Sequence, residues 1–426
     1  MTTTAVVGIN WGDEGKGRMV DLLSQDYDVI VRFQGGSNAG HTVVNEYGKF
    51  ALNLIPSGIF TPGTVNVLAT GTVVDIEHLA QEIIKVTTRA KGIEITPANF
   101  KISQRAIICF PFHRELDGLE EDRLADKKYG STRRGVAPVY GDKYLKKGVQ
   151  IGELLYPEYL KDRMDGVLEW ANLRLAIYGA KPYEKTQIMD WLLQYGDAVK
   201  DYICDTSAYL QDAIRDGKDV LFEAQLGAIR DLDYGIYPYS SSSSPLTDYV
   251  PIGAGIPGLK LDKVVGIVKA YSTSIGEGPF VVNLEDEVGI RLREIGAEYG
   301  AATGRPRNVG YFDLVATKYG VYVQRPTEIA LTKLDTLSQE EVLKICVGYE
   351  IQGQVHTDFP FTPLLYQAKP VYIEMPGWGE NISHIRDYNK LPVNARKYVD
   401  FIEENIETPI RYISVGPERN EYIVKL

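Results

Sequence analysis

The stretch from Ala5 to Gly17 reads AVVGINWGDEGKG, and its reading decides the fold. Ala5 to Ile9 is a short apolar run with two valines, the pattern of a buried strand. Gly8, Gly12, Gly15 and Gly17 follow closely, and then Met19, Val20, Leu22 and Leu23 recur at helical spacing. A strand, a glycine-rich turn and a helix opening near Gly17 make an anion site. Glycines let the backbone approach a phosphate, and the first-turn N–H groups point at it. Lys16 adds a point charge there. The spacing is not that of a P-loop, which needs GxxxxGK followed by Ser or Thr. Here Gly17 offers no hydroxyl, and the turn carries two acids, Asp13 and Glu14. Acids beside a polyphosphate repel it unless a divalent cation lies between them or one is a catalytic base. Without such a ligand, the stretch reads as a tight turn with solvated acids.

Working outward, Gln34 to His41 (QGGSNAGH) is a second glycine-rich turn after a strand over Asp28 to Phe33, at the end of a strand where open α/β sheets put ligands. Thr42 to Leu54 reads as a hairpin turning at Glu46 to Gly48. Val65 to Ala69 is a strand, Asp75 caps a helix reaching about Ala90, and Ile107 to Phe110 is a short strand. Residues 126–147 are basic and rich in Gly, Ser and Thr. Gly130-Ser131-Thr132-Arg133-Arg134-Gly135 has the hydroxyls, N–H groups and guanidinium of a phosphate cradle. Residues 151–217 read as a helix-rich insertion packed on the sheet. Strands follow at Asp219 to Phe222, Lys263 to Tyr271, Ile329 to Leu334 and Ile410 to Ser414. Between them lie the serine run Ser240 to Ser244 and the polar loop Thr303 to Arg307 (TGRPR), whose arginines suit a carboxylate or phosphate. A helix starts near Asp313. In TKLD, Asp335 can accept from a guanine's ring N–H and amino group while the Lys333 stem packs on the ring; adenine lacks that donor pair.

The alternation of strands and helices predicts an α/β fold: a large, mostly parallel central sheet covered by helices on both faces, with helical and hairpin insertions. The 426 residues carry no long disordered linker and read as a single domain over 1–426. A net charge of −11, from 46 basic and 57 acidic residues, argues against nucleic acid or an anionic membrane as partner. The three cysteines form no CxxC or Cys/His pairing, no signal peptide is evident, and no apolar stretch is long enough to span a bilayer. These features fit a reduced, cytoplasmic setting.

Together these segments resemble adenylosuccinate synthetase. GINWGDEGKG, FQGGSNAGH, GSTRRGVAP, VLFEAQLG, KAYSTSIGEGPF, TGRPR, LTKLD, PGW and SVGP occur in that family's order from about residue 5 to residue 420. The resemblance implies a ligase that joins L-aspartate to C6 of IMP, using GTP and magnesium (Mg2+) and releasing GDP and phosphate, in a homodimer. It assigns Asp13 as the base that takes the N1 proton of IMP and as a magnesium ligand with the Gly40 carbonyl. His41 would act on the oxygen between the β- and γ-phosphates. Lys16 would contact phosphate with Gly12, Gly15, Gly17 and Thr42. Asn38, Ser131, Thr132, Lys146, Gln225 and Ser241 would hold IMP, with Gln225 also catalytic. Thr303, Arg305 and Arg307 would grip the aspartate carboxylates, and Lys333, Asp335, Ser414 and Gly416 would form the guanine pocket.

The chain departs from the family pattern at several places. Ser131-Thr132-Arg133-Arg134-Gly135 stands for TTGRG, and Glu223-Ala224-Gln225-Leu226-Gly227 for EGAQG. Lys146 stands for an arginine that reaches the partner subunit's IMP phosphate, Ala302 for a threonine, and Ser274 for an arginine. Other readings are a related phage-type enzyme that aminates a guanine nucleotide, a GTP-binding switch, and a decayed relative that binds nucleotide weakly. The phage-type branch tends to lose the acid at the Asp13 position, and a switch needs neither His41 nor the TGRPR loop.

Overall fold

Strand β1 spans Thr3–Gly8, and all six residues are buried, because the sheet it centres is covered on both sides. The computed structural model describes residues 1–300 and 304–425. Ala302 and Thr303, expected in the substrate loop, therefore lie outside the described residues. The other strands of the main sheet are β2 (Val29–Arg32), β3 (Val65–Leu68), β4 (Phe100–Ser103), β5 (Ile203–Cys204), β6 (Val220–Glu223), β7 (Lys263–Lys269), β8 (Glu328–Thr332), β9 (Ile410–Ser414) and β10 (Tyr422–Val424). Their order across the ten-stranded sheet is β10-β9-β8-β7-β1-β6-β2-β3-β4-β5. Each neighbouring pair is parallel except β9 and β10, which are antiparallel.

The period-2 alternation of strand side chains sorts the core into two layers. Ala5 and Val7 pack with Val29, Val31, Val220 and Phe222 on one face. Val6 packs with Ile30, Leu221, Val265 and Ile267 on the other, under Met19 and Val20 of the helix Lys16–Leu23. The expected fold class is thus what the structure shows. Among the described residues, no helix is long and apolar enough to cross a membrane.

Two features differ from expectation. The 151–217 segment supplies helices Pro157–Ile177, Lys185–Val199 and Thr206–Arg215, but Ile203–Cys204 inside it is the edge strand of the main sheet. A second sheet, built from Phe312–Asp313, Val342–Ile351, Gln354–His356 and Lys369–Pro376, escaped the pattern reading. The register shift between Cys346 and Gly348 is the reason: a bulge puts Ile345 and Cys346 both inside and breaks the period of two.

The helix Pro111–Leu124 anchors the basic loop, and a buried histidine fixes where it starts. The Phe110 N–H donates to His113 Nδ1 at 2.9 Å, and His113 Nε2–H donates to Asp142 at 3.0 Å. Asp142 also accepts from Trp170 (2.8 Å) and Arg174 (2.5 Å), which ties three helices together. Because Nδ1 must accept, the ring is held neutral, and burial pushes its pKa below the ordinary 6.5. The unfolded chain then binds more protons, so this contribution is present above pH 6.5 and is lost as pH falls below it. His113→Phe should cost about 1–3 kcal/mol at pH 7.5, since it orphans a buried N–H. The gap from the parent protein should narrow at pH 5.5, as compared by denaturant midpoints at the two pH values.

Candidate active site

The first turn solves a packing problem with its second acid. Glu14 is buried, and its Oε1 accepts from the N–H groups of Gly12 (2.8 Å) and Asn10 (3.1 Å). Its Oε2 meets Lys16 Nζ at 2.5 Å. Glu14 is therefore a brace inside the turn, not a solvated acid. Gly15 caps the helix at φ 102°, a left-handed conformation that suits glycine. Asp13 adopts φ 60° and points the other way, with its side chain 29 % exposed.

Gly17 is required for a different reason. A Cβ there would lie 2.5 Å from Cβ of His41, so the helix start and the His41 hairpin touch. His41 opens the hairpin His41–Asn45/Gly48–Leu52 and is buried. Its Nδ1–H donates to Glu223 Oε1 at 2.5 Å, and Glu223 also accepts from Ser57 Oγ (2.5 Å) and Ser57 N (2.9 Å). Burial lowers the pKa of His41, against the pull of Glu223. Burial also opposes ionisation of Glu223, but the charges of His41 and Arg32 outweigh it and hold the carboxyl below its usual range. Arg32 is buried beside the pair, and its Nη2 donates to the Asn53 carbonyl at 3.2 Å. Glu223 and Arg32 were given no role by the sequence reading, although Glu223 opens the quoted stretch EAQLG.

Asp13 Oδ2 accepts from Arg307 Nε at 2.8 Å, so the first turn and the TGRPR loop meet. Arg307 Nη1 continues to Glu298 Oε2 at 2.6 Å. Glu298, fully buried, also receives Lys269 Nζ at 2.9 Å on each oxygen, Lys333 Nζ at 2.7 Å and Tyr271 O–H at 2.6 Å. Although burial opposes its ionisation, the three cations prevail and hold the Glu298 carboxyl well below the usual range. Burial pushes Lys269 down to about 8. Three cations (Lys269, Lys333, Arg307) against two carboxylates (Asp13, Glu298) leave one positive charge in excess, which suits an anionic ligand. Glu298 sits beside no recognisable spacing signal, and the sequence reading passed it over.

Arg305 reaches the basic loop through Nη2, which donates to the Gly130 carbonyl at 3.0 Å. That loop differs from the expected cradle. Glu121 accepts from the N–H groups of Tyr129, Gly130 and Ser131 at 2.9–3.0 Å, so a carboxylate already fills the place expected for a phosphate. Ser131 Oγ is committed to Asp117 at 2.7 Å. Thr132 stands next to it on the same loop, and Lys146 is exposed at φ 63° beyond the helix Val136–Tyr144.

Of the other expected contacts, Asn38 Oδ1 accepts from Gly36 N at 3.1 Å and shapes the QGGSNAGH turn, which leads through Gly40 into His41 and Thr42. Gln225 is buried; its Nε2 donates to the carbonyls of Gln34 (2.9 Å) and Gly36 (3.3 Å). Its side chain thus braces that turn. Ser241 takes its place through its N–H, which donates to the Arg230 carbonyl at 2.8 Å. Where the family arginine is replaced by Ser274, Arg230 supplies a guanidinium: Nη2 donates to Ser274 Oγ at 2.8 Å and to the Ile275 carbonyl at 2.6 Å. Burial lowers the Arg230 pKa to about 10.

Lys333 takes φ 59° and turns the chain from β8 into the 3-10 turn Leu334–Leu337. Asp335 there lines a cleft of about 420 Å³ with Thr336, Ser338, Gly416 and Pro417. Among the described residues, Asp335 Oδ1 is buried with no hydrogen-bond partner. Ser414 Oγ accepts from Arg18 Nη1 at 2.5 Å at the same end of the sheet.

The sequence matches the family model described as adenylosuccinate synthetase over residues 5–423. It is 44% identical to the adenylosuccinate synthetase of Caldanaerobacter subterraneus subsp. tengcongensis, covering 100% of this chain and 99% of that one. It is also 44% identical to adenylosuccinate synthetase 2 of Pseudoalteromonas translucida, covering 100% of both. The fully ligated adenylosuccinate synthetase of Plasmodium falciparum superposes with a TM-score of 0.94 at 35% identity, covering 100% of both chains. The succinoaminodeoxyadenylate synthetase of cyanophage S-2L superposes with a TM-score of 0.58 at 17% identity, covering 99% of this chain and 95% of that one, a likeness of fold alone.

The Glu223 contact makes His41 titration testable. Glu223→Gln removes the counter-charge and leaves the burial, so His41 should titrate lower in the variant than in the parent protein. Ring NMR of the five histidines, with His41 assigned by its own substitution, reads this directly. An unchanged or higher value would refute the pairing.

Proposed function

The chain belongs to the adenylosuccinate synthetase family, and from that premise we infer that it is a GTP-dependent ligase joining L-aspartate to IMP to give adenylosuccinate, GDP and phosphate. The observation that carries the reading is the Asp13–Arg307 contact, which brings the expected base to the loop expected to hold aspartate. A GTP-binding switch needs no such junction.

In this reading Asp13 takes the N1 proton of IMP, and O6 attacks the γ-phosphate of GTP to give a 6-phosphoryl intermediate. The amine of aspartate then displaces that phosphate at C6. Glu223 fixes the Nδ1–H tautomer of His41, leaving Nε2 for the β–γ bridging oxygen. The triphosphate's charge favours protonation there, so His41 can stabilise the leaving group. Lys16 neutralises phosphate charge at the helix start. Arg305 and Arg307 bind the aspartate carboxylates, and the excess positive charge of their network supports that role.

Magnesium fits as a substrate-borne ion. Among the described residues no three His, Cys, Asp or Glu side chains cluster as a metal site. Asp13 and the Gly40 carbonyl would hold it together with phosphate oxygens, as is usual for this ion, and it would neutralise charge on the transferred phosphoryl group. We also propose a homodimer in which Lys146 reaches the partner's IMP phosphate. Tyr144 and Leu145, just before it, are 69% and 57% exposed and give that face apolar surface.

Asp13→Ala should abolish turnover while GTP still binds, as measured by phosphate release and by nucleotide titration; turnover near the parent's would remove it as the base. Asp335→Asn should lower the GTP-over-ATP preference about 10–100-fold, because a charged acceptor facing two guanine donors is lost. An unchanged preference would take Asp335 out of the pocket.

A further inference from the structure

We propose that Glu298 is a positioning residue through which occupancy of the guanine cleft is coupled to the Asp13–Arg307 pair, an inference that rests on the ligase reading above. The three cations on Glu298 differ in freedom. Lys269 is 3% exposed and bonds both carboxylate oxygens and Thr273 Oγ1 (2.6 Å), so it is a fixed pivot. Lys333 is 31% exposed and opens the turn that carries Asp335, so a base seated on Asp335 meets it. Arg307 is divided between Glu298 at 2.6 Å and Asp13 at 2.8 Å.

A buried carboxylate cannot go short of positive charge without cost. When a guanine nucleotide draws Lys333 toward itself, Glu298 claims more of Arg307, the cation it shares with another acid. Arg307 then loosens from Asp13 Oδ2, which frees that oxygen for the purine proton and the metal. In the other direction, an aspartate carboxylate that accepts from the Arg307 donor released by Asp13 holds Arg307 in that same arrangement on Glu298 and leaves Lys333 to the guanine base. The backbone supports the link. Arg307 N–H donates to the Glu298 carbonyl at 2.9 Å, so the two ends of the aspartate loop move as one. The coupling is reciprocal, as any such linkage must be.

The test measures the KM for L-aspartate at limiting and at saturating GTP, with IMP saturating. In the parent protein saturating GTP should lower that KM at least 5-fold, within the usual range of such couplings. In Glu298→Gln the ratio should fall to near one, and Glu298→Asp should restore part of it. A merely structural Glu298 would reduce active protein and kcat while leaving the ratio alone. A parental ratio retained in Glu298→Gln, or no GTP effect in the parent protein, would overturn the proposal. Should Glu298→Gln fail to fold, amide exchange answers on the full chain. GTP alone should slow exchange at Arg307 and Asn308 in the parent and not in Lys333→Met; no change in the parent on binding GTP would overturn the coupling. Absence of phosphate release from GTP, IMP and aspartate would instead sink the ligase reading, and the exchange measurement, which needs only GTP, would still decide the coupling.

Discussion

The site depends on one directional constraint: β1, β2, β6, β7, β8 and β9 all run the same way, so their carboxyl ends form a single edge. Those ends are Gly8, Arg32, Glu223, Lys269, Thr332 and Ser414. None is the expected base or the residue acting on the β–γ oxygen. Most of them hold something in place. Glu223 orients His41, with Arg32 beside the pair. Lys269 anchors Glu298, Thr332 Oγ1 donates to the Glu14 carbonyl at 2.7 Å, and Ser414 meets Arg18. Asp13 and His41, the residues expected to act on the nucleotides, sit beyond those ends, supported from a rigid sheet.

Much of that support consists of buried charge: Glu14 with Lys16, Glu223 with His41, Glu298 with three cations. Buried ion pairs are poor stabilisers, because desolvation offsets most of their attraction, and well-packed apolar residues would serve stability as well. Breaking one is costly, about 3–5 kcal/mol, since the remaining partner is left uncompensated. Three such arrangements along one edge therefore make sense as positioning devices. They hold side chains to a narrow geometry, which catalysis of phosphoryl transfer chiefly requires.

Much of this was legible in the sequence. The apolar runs located seven of the ten main-sheet strands to within a residue or two, missing Phe100–Ser103, Ile203–Cys204 and Tyr422–Val424, and the glycine turns marked the ends that carry Asp13 and His41. What escaped was information that spacing does not carry. The strand Ile203–Cys204 is two residues long and only half-buried, so no run announces it. Glu298 gains its meaning from Lys269 and Lys333, about 30 residues to either side, whose convergence only the crossovers create. Glu121 escaped in the same way: a helical acid eight to ten residues upstream accepts from the amides of Tyr129, Gly130 and Ser131 at the start of the basic loop. Arg230 on Ser274 shows the converse, a guanidinium brought from another turn to a position that lacks its arginine.

The departure at EAQLG follows the same logic on the backbone. Asp13, Leu226 and Lys333 all adopt positive φ near 60°, a conformation costing roughly 1–2 kcal/mol for a residue with a Cβ. Such strain persists where the surroundings over-determine it, and here they do. A Cβ on Gly8 would lie 2.2 Å from the Leu226 carbonyl oxygen, and one on Gly12 would lie 3.2 Å from Leu226 Cα. The left-handed turn at Leu226 is thus pressed against the turn that presents Asp13. One residue earlier, Gln225 bonds the carbonyls of Gln34 and Gly36, and Gly35 leaves just the space its amide fills. The turns after β1, β2 and β6 are therefore one interlocked unit, and none can relax alone. Within EAQLG, Leu226 packs against the turn that presents Asp13 and Gln225 braces the loop before His41, so a leucine and a glutamine far away in sequence tie the two turns together.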